Sequence, residues 1–330
     1  MIFTEAFIFA LNAIAPIILT VAVGYLLKKI GLIKAELASA LNRLVFKVFL
    51  PSMLFLNVYN INGTAPTDLG YVLYVFFVIV SVFAVSIPLV MLITKKQKRR
   101  GALLQATFRS NFALIGIPVS TALFGAEGAV VATLLSAAII PIYNILGVIS
   151  LSLFDGSGKK VNFKSILLGI VKNPLIQSIF AGIVILVIRA VFLNYEIAFR
   201  LSDITPLFKM LEYLSSVATP LALITLGAQF EFSAIRELRR EILFGTFMRI
   251  AAVPLLGIGI AYLLRGSFSG AHFAAFVAVF ATPVAVSSVP MAEAMGSDGA
   301  LAGQLVVWTT LLSSLSVFLA SYILKLVGIF

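Results

Sequence analysis

The sequence predicts an all-helical membrane protein of ten spans, built as two halves of five with the second half inverted. Three observations predict it. Apolar residues make up 61% of the 330 residues and charged residues only 11%. A soluble domain carries about 25% charged residues, so lipid must solvate much of this surface. The apolar residues fall in continuous runs of about 20, the length that crosses a bilayer as a helix, without the alternation of a membrane β-barrel. Prolines also recur in the same order in both halves: Pro16 precedes Gly24 as Pro174 precedes Gly182, Pro51 answers Pro220, Pro88 answers Pro254, and Pro118 answers Pro283 or Pro290. Five is an odd number of spans, so the second copy enters the membrane upside down.

The spans are read at residues 6–27, 36–58, 70–94, 102–125 and 129–153, then 166–188, 209–229, 242–264, 272–295 and 303–327. The halves are 1–154 and 166–330, joined by a short cytoplasmic linker at 155–165. Lys28, Lys29 and Lys34 follow the first span, Lys95 to Arg100 the third, Lys159, Lys160 and Lys164 the fifth, and Arg236, Arg239 and Arg240 the seventh. The loops after spans two and four contain no Lys or Arg, and their only charged residues are Asp68 and Glu127. The positive-inside rule makes the odd-numbered loops cytoplasmic and leaves both termini outside. Tyr195 to Ile204, on the outer side, reads as an interfacial stretch with Arg200 and Asp203 on its wet face. The net charge of +11 lies in these loops, which argues against nucleic acid as a partner. The chain has no cysteine, so neither disulfides nor thiolate chemistry are available. The first apolar run has no basic stretch ahead of it and reads as a retained span rather than a signal peptide.

Two runs are interrupted. Arg109 to Gly125 and His272 to Gly296 are each long enough to cross a bilayer, and each holds a helix-breaking cluster. In lipid a freed backbone group costs several kcal/mol unless protein or a water-filled cavity satisfies it, so paired breaks point to a substrate site in a transporter. Pro118 and Pro290 suit the first position of a half-helix. The two N-termini would then face each other as an anion cradle, edged by Gly116, Ile117, Pro283, Ser287 and Ser288. Asn111 is placed to reach the break with an amide that both donates and accepts. Asn144, Thr309 and Thr310 can join the same cavity or serve as interhelical hydrogen bonds.

Charged residues inside spans are functional candidates because they are costly there. Arg109 either draws an anion in from the cytoplasm or snorkels to the inner surface. Glu293, one turn after Pro290, is the candidate for ion coupling, with Asn111, Thr309 and Thr310 as neutral ligands, or else a dipole partner of its half-helix. Asn42, Arg43 and Arg249 read as anchors near the cytoplasmic face, and His272 as an interfacial residue. No nucleophile–base set and no Walker motif is present, so neither an enzyme nor an ATP-driven pump is expected.

The segments LNRLVFKVFLPSMLF, RSNFALIGIP and TPVAVSSVPMAEAMGSDGALAGQLVVWTTLLSS resemble the auxin efflux carrier family, which includes plant PIN-type auxin exporters and bacterial malate and malonate permeases. The most specific element is Asn111 ahead of Gly116, Ile117 and Pro118. The resemblance covers nearly the whole chain. It implies a fold like that of bile-acid sodium symporters, with broken helices four and nine crossing. It also implies a scaffold of spans one, two, six and seven and a transport domain of spans three to five and eight to ten. The long cytoplasmic loop of the plant proteins is replaced by DGSGKKVNFK, which favours a bacterial inner-membrane transporter over an auxin exporter. The expected function is secondary active transport of a small organic anion, a carboxylate such as malate or malonate, by an elevator movement. Na⁺ or H⁺ is the coupling ion, Na⁺ the only metal considered, and no other cofactor is expected. The expected partners are the anion, the lipid bilayer and a second copy docked through the scaffold. The competing readings are a passive anion channel or uniporter and a membrane-embedded anion sensor that transports nothing.

Overall fold

The computed structural model describes residues 2–60, 69–154 and 163–330, with side chains for 15–60, 69–154 and 167–330. The 155–165 linker with Lys159, Lys160 and Lys164, and the loop carrying Asp68, lie wholly or in their side chains outside the described residues. The rest is helical: α1 Ile2–Lys29, α2 Ala35–Tyr59, α3 Gly70–Ile93, α4 Gln97–Phe108, α5 Phe112–Leu153, α6 Phe163–Lys172, α7 Pro174–Asn194, α8 Thr205–Gln229, α9 Ala234–Leu263, α10 Gly270–Phe280, α11 Ser288–Ala294 and α12 Gly299–Leu326. Among the described residues seven helices are long and apolar enough to cross a membrane. The only β pairing among them is one isolated bridge.

Proline shapes several helices. α2, α5 and α9 each contain a five-residue π-turn, at Val45–Phe49, Phe112–Gly116 and Met248–Ala252. Each turn ends two residues before a proline, Pro51, Pro118 and Pro254 respectively. A proline lacks the N–H and its ring crowds the carbonyl four residues back. A turn wider by one residue moves that carbonyl aside. This corrects the expected half-helix start: α5 begins at Phe112, not at Pro118, and Pro290 is the third residue of α11 rather than its first. The sixth span likewise starts at Pro174, because the residue before a proline is pushed out of helix. Asn173 is extended there and its side chain caps Leu175 N–H at 2.9 Å.

α5 holds 42 residues, which as a straight rod would be about 60 Å long, twice the hydrocarbon thickness. It does not run straight. Phe124 and Gly125 leave helical geometry, Gly125 at φ 58°, and Ser120 Oγ donates to the Gly128 carbonyl at 2.9 Å. The two arms therefore fold back on each other.

α1 packs on α8, and α2 packs on α7 and α8. The first contact depends on Gly227, where a Cβ would lie 1.9 Å from the Val21 carbonyl oxygen. α3, α4, α5, α9, α10 and α12 pack among themselves. Basic residues gather at one end of the bundle. There Lys28 donates to the Phe230 carbonyl at 3.2 Å, Lys96 pairs with Glu237 at 2.9 Å, and Arg99 bridges Glu237, Glu241 (3.2 Å) and Asp298 (3.3 Å). These pairs extend α4 and α9 back to Gln97 and Ala234, into sequence that reads as loop by charge alone. Residues 195–204, at the other end, are irregular around a short 3₁₀ turn at Leu201–Asp203, where Asp203 accepts from Arg200 N–H at 2.7 Å.

Candidate functional site

The two breaks meet in the interior. α4 ends at Phe108 and α10 at Phe280. Beyond them Ser110 forms an antiparallel bridge with Val284, and Asn111 N–H donates to the Pro283 carbonyl at 2.7 Å. Val284 N–H donates to Thr309 Oγ1 of α12 at 3.1 Å, and the Ser110 and Thr282 hydroxyls share a 2.6 Å hydrogen bond. Each segment thus satisfies part of the backbone that the other frees, as lipid-excluded chain requires. Arg249 of α9, fully buried, donates Nε to the Thr282 carbonyl (2.7 Å), Nη1 to that of Phe108 (3.2 Å) and Nη2 to that of Val279 (2.5 Å). The reading of Arg249 as a membrane-face anchor is therefore corrected. It sits at the junction, where its fork supplies donors to carbonyls of both broken segments.

A cavity of about 520 Å³ lies between this junction and α2 and α8. Its far wall carries Leu50, Met53 and Asn57 of α2 and Ser215, Ser216 and Thr219 of α8. Its near wall carries Arg109, Ser110, Asn111, Phe112, Ala113, Leu114, Tyr143, Asn144 and Ser287. Arg109 is 2% exposed. Its guanidinium donates to Asn144 Oδ1 at 2.8 Å, Ser287 Oγ at 3.0 Å and Gln105 Oε1 at 3.2 Å, and contacts Met291 Sδ at 2.9 Å. All four partners are neutral, and no ion pair among the described residues includes Arg109 or Arg249. Asn111 is also buried, and its Nδ2 has no hydrogen-bond partner. The cavity floor is the first turn of α5, whose leading N–H groups have no intrahelical acceptor and which bears the positive end of the helix dipole. A buried cation, an asparagine with an unpartnered amide donor and a helix N-terminus therefore lie along one space.

Of the expected site residues, Asn111, Asn144, Ser287 and Arg109 come together on this cavity. Arg109 does not snorkel. Pro283 lends a backbone carbonyl to Asn111. Gly116 serves close packing, since a Cβ there would lie 2.8 Å from the Ala278 carbonyl oxygen. Ile117, Pro118, Ser288 and Thr310 do not line the cavity, and Thr309 is engaged with Val284. The α8 residues Ser215, Ser216 and Thr219, and Asn57, were not anticipated. Their signal in the sequence is polar residues within otherwise apolar runs.

A second cavity of about 260 Å³ lies along the same seam toward the basic end, lined by Ser39, Asn42, Arg43, Phe46, Lys47, Pro290, Glu293 and Ala294. Asn42 is buried, not an anchor at the membrane face. Its Nδ2 donates to Glu293 Oε2 and to Gln229 Oε1, both at 2.7 Å, and its Oδ1 accepts from Thr225 at 2.5 Å. Glu293 is thus tied across the seam to α2, away from the first cavity. One turn of α2, between Lys47 and Leu50, separates the two cavities.

Residues 9–321 match the family described as Membrane transport protein. An uncharacterised transporter of Methanothermobacter thermautotrophicus is 26% identical over 95% of this chain and 98% of its own length. One from Methanocaldococcus jannaschii is 28% identical over 73% of each. The buried, lipid-excluded junction and this match over nearly the whole length agree: the chain is an integral membrane protein that belongs to the membrane transport protein family, the auxin efflux carrier family that its motifs resemble.

Proposed function

We propose that the chain is a secondary active transporter of a small carboxylate, a mono- or dicarboxylate of the size of malate or malonate, bound at the junction of the two broken helices. The observation that carries this reading is Arg109, a buried guanidinium with only neutral partners on the wall of a 520 Å³ cavity. A buried charge is costly unless paired, and a carboxylate in the cavity supplies the pair. Asn111 Nδ2 and the first N–H groups of α5 offer further donors. The volume lies within the range of small-molecule sites, and Arg249 behind the junction adds a second positive charge suited to a dicarboxylate.

Alternating access is supported by the seam itself. α2 walls both cavities, joined by α8 at the first, and faces α5 at the first and α11 at the second. A sliding of the α3–α5 and α9–α12 group along α1, α2, α7 and α8 would expose the junction first to one end and then to the other. This is an elevator movement within ten crossings. Glu293, released from Asn42 when the seam opens at the basic end, is the proposed proton carrier. Uptake of labelled organic acids into proteoliposomes, with and without Na⁺ and pH gradients, tests the reading. Saturable uptake with counterflow supports it. Binding without flux would leave a sensor, and flux that does not saturate would leave a channel.

A further inference from the structure

Arg249 performs a task beyond holding an anion. Broken membrane helices free backbone carbonyls, and such carbonyls typically coordinate a monovalent cation in transporters. Here three of them, on Phe108, Val279 and Thr282, converge on one guanidinium from both broken segments at 2.5 to 3.2 Å. The arginine arrives from a third helix, at the π-turn Met248–Ala252 of α9. It is fully buried and has no carboxylate partner among the described residues.

Resting on the carboxylate-transport reading, we propose that Arg249 is a tethered cation in the place that a coupling Na⁺ would fill, so that the junction is assembled, and the anion transported, without Na⁺. A mobile cation about 4 Å from the guanidinium would lose roughly 10³-fold in affinity at an effective dielectric of about 20. The guanidinium also already occupies the carbonyl oxygens that would hold it. Arg249 is in these terms a positioning residue. It fixes the two extended segments whose neighbours, Arg109 and Asn111, face the cavity.

The test uses purified full-length protein in proteoliposomes with labelled malate as the probe. Wild-type uptake is expected to be equal when Na⁺ is replaced by choline. Arg249→Ala removes the tethered cation. Its uptake is expected to fall by at least about tenfold, as loss of charged buried hydrogen bonds implies, and to be partly restored by millimolar guanidinium or by Na⁺. The same two cations should raise the melting temperature of detergent-solubilised Arg249→Ala and leave the wild type unmoved. Arg249→Lys, which keeps a charge but not the fork, should retain more uptake than alanine and need no added cation. If the alanine variant does not fold, the lysine variant and the wild-type ion replacement decide. Wild-type uptake that requires Na⁺ overturns the proposal and leaves carboxylate transport standing. Arg249→Ala that transports like the wild type in choline also overturns it. Absence of saturable organic-acid uptake in every ion condition defeats the carboxylate reading and this proposal with it.

Discussion

Arg109→Gln separates the charge at the junction from its shape. Glutamine can still reach toward Asn144 Oδ1 or Ser287 Oγ, which now accept from the guanidinium at 2.8 and 3.0 Å, but it carries no charge. A carboxylate about 4 Å from the guanidinium gains about 4 kcal/mol at an effective dielectric of 20, and about 2 kcal/mol if water in the cavity doubles that dielectric. The expected loss of affinity is therefore about 30- to 1,000-fold at 1.36 kcal/mol per decade. Stability should respond differently. The substitution loses hydrogen bonds to neutral partners, each worth about 1 kcal/mol or somewhat more when charge-assisted, but it also removes a charge buried without a counter-ion, so the two changes oppose each other. The assay pairs carboxylate binding, by the ligand-induced rise in melting temperature, with the melting temperature of the empty protein. A large fall in affinity with the empty protein's melting temperature within a few degrees of wild type is the expected result. Unchanged affinity in a folded Arg109→Gln protein would refute the argument, because the charge would then face no ligand.

Asn111→Ala removes an amide whose Nδ2 is unpartnered and leaves its backbone bond to Pro283 in place; uptake should be abolished with expression and melting temperature near normal, and unfolding would point to a structural role. Glu293→Gln keeps an acceptor for Asn42 Nδ2 and removes the ionisable group. Carboxylate binding should survive while dependence of uptake on the pH gradient falls, and an unchanged gradient dependence would remove Glu293 from coupling. Gly227→Val places a side chain where even a Cβ meets the Val21 carbonyl oxygen at 1.9 Å, so α1 and α8 must separate and the yield of folded protein should drop sharply on size-exclusion chromatography. The chain has no cysteine, so single cysteines at Lys96 and Tyr195 report topology cleanly: in intact cells position 195 should label and position 96 should not, and the reverse pattern would invert the orientation.

Sequence alone determined that this chain is helical and lipid-embedded, where its chain-breaking segments lie, and which family it resembles. Those features are local. Run length, continuous apolarity and the spacing of prolines and charges act along the chain, and each can be read without knowing what packs against what. Asn111 could be singled out because a polar amide ahead of a glycine–proline break is costly in lipid unless it is used. Local reading misjudged the consequences of proline at a distance of several residues. The π-turns ahead of Pro51, Pro118 and Pro254 begin α5 at Phe112 and point Arg249 inward, and no propensity marks them.

Tertiary structure decided what each buried polar group does. Arg109, Arg249 and Asn42 look alike in sequence, as polar residues within or at the edge of an apolar run. Their roles differ because their partners lie far along the chain: Ser287 and Asn144 for Arg109, the carbonyls of Phe108, Val279 and Thr282 for Arg249, and Gln229 and Glu293 for Asn42. The energy of a buried polar group is set by the donors and acceptors that surround it. Those neighbours exist only once α2, α5, α8, α9 and α11 have packed into one seam.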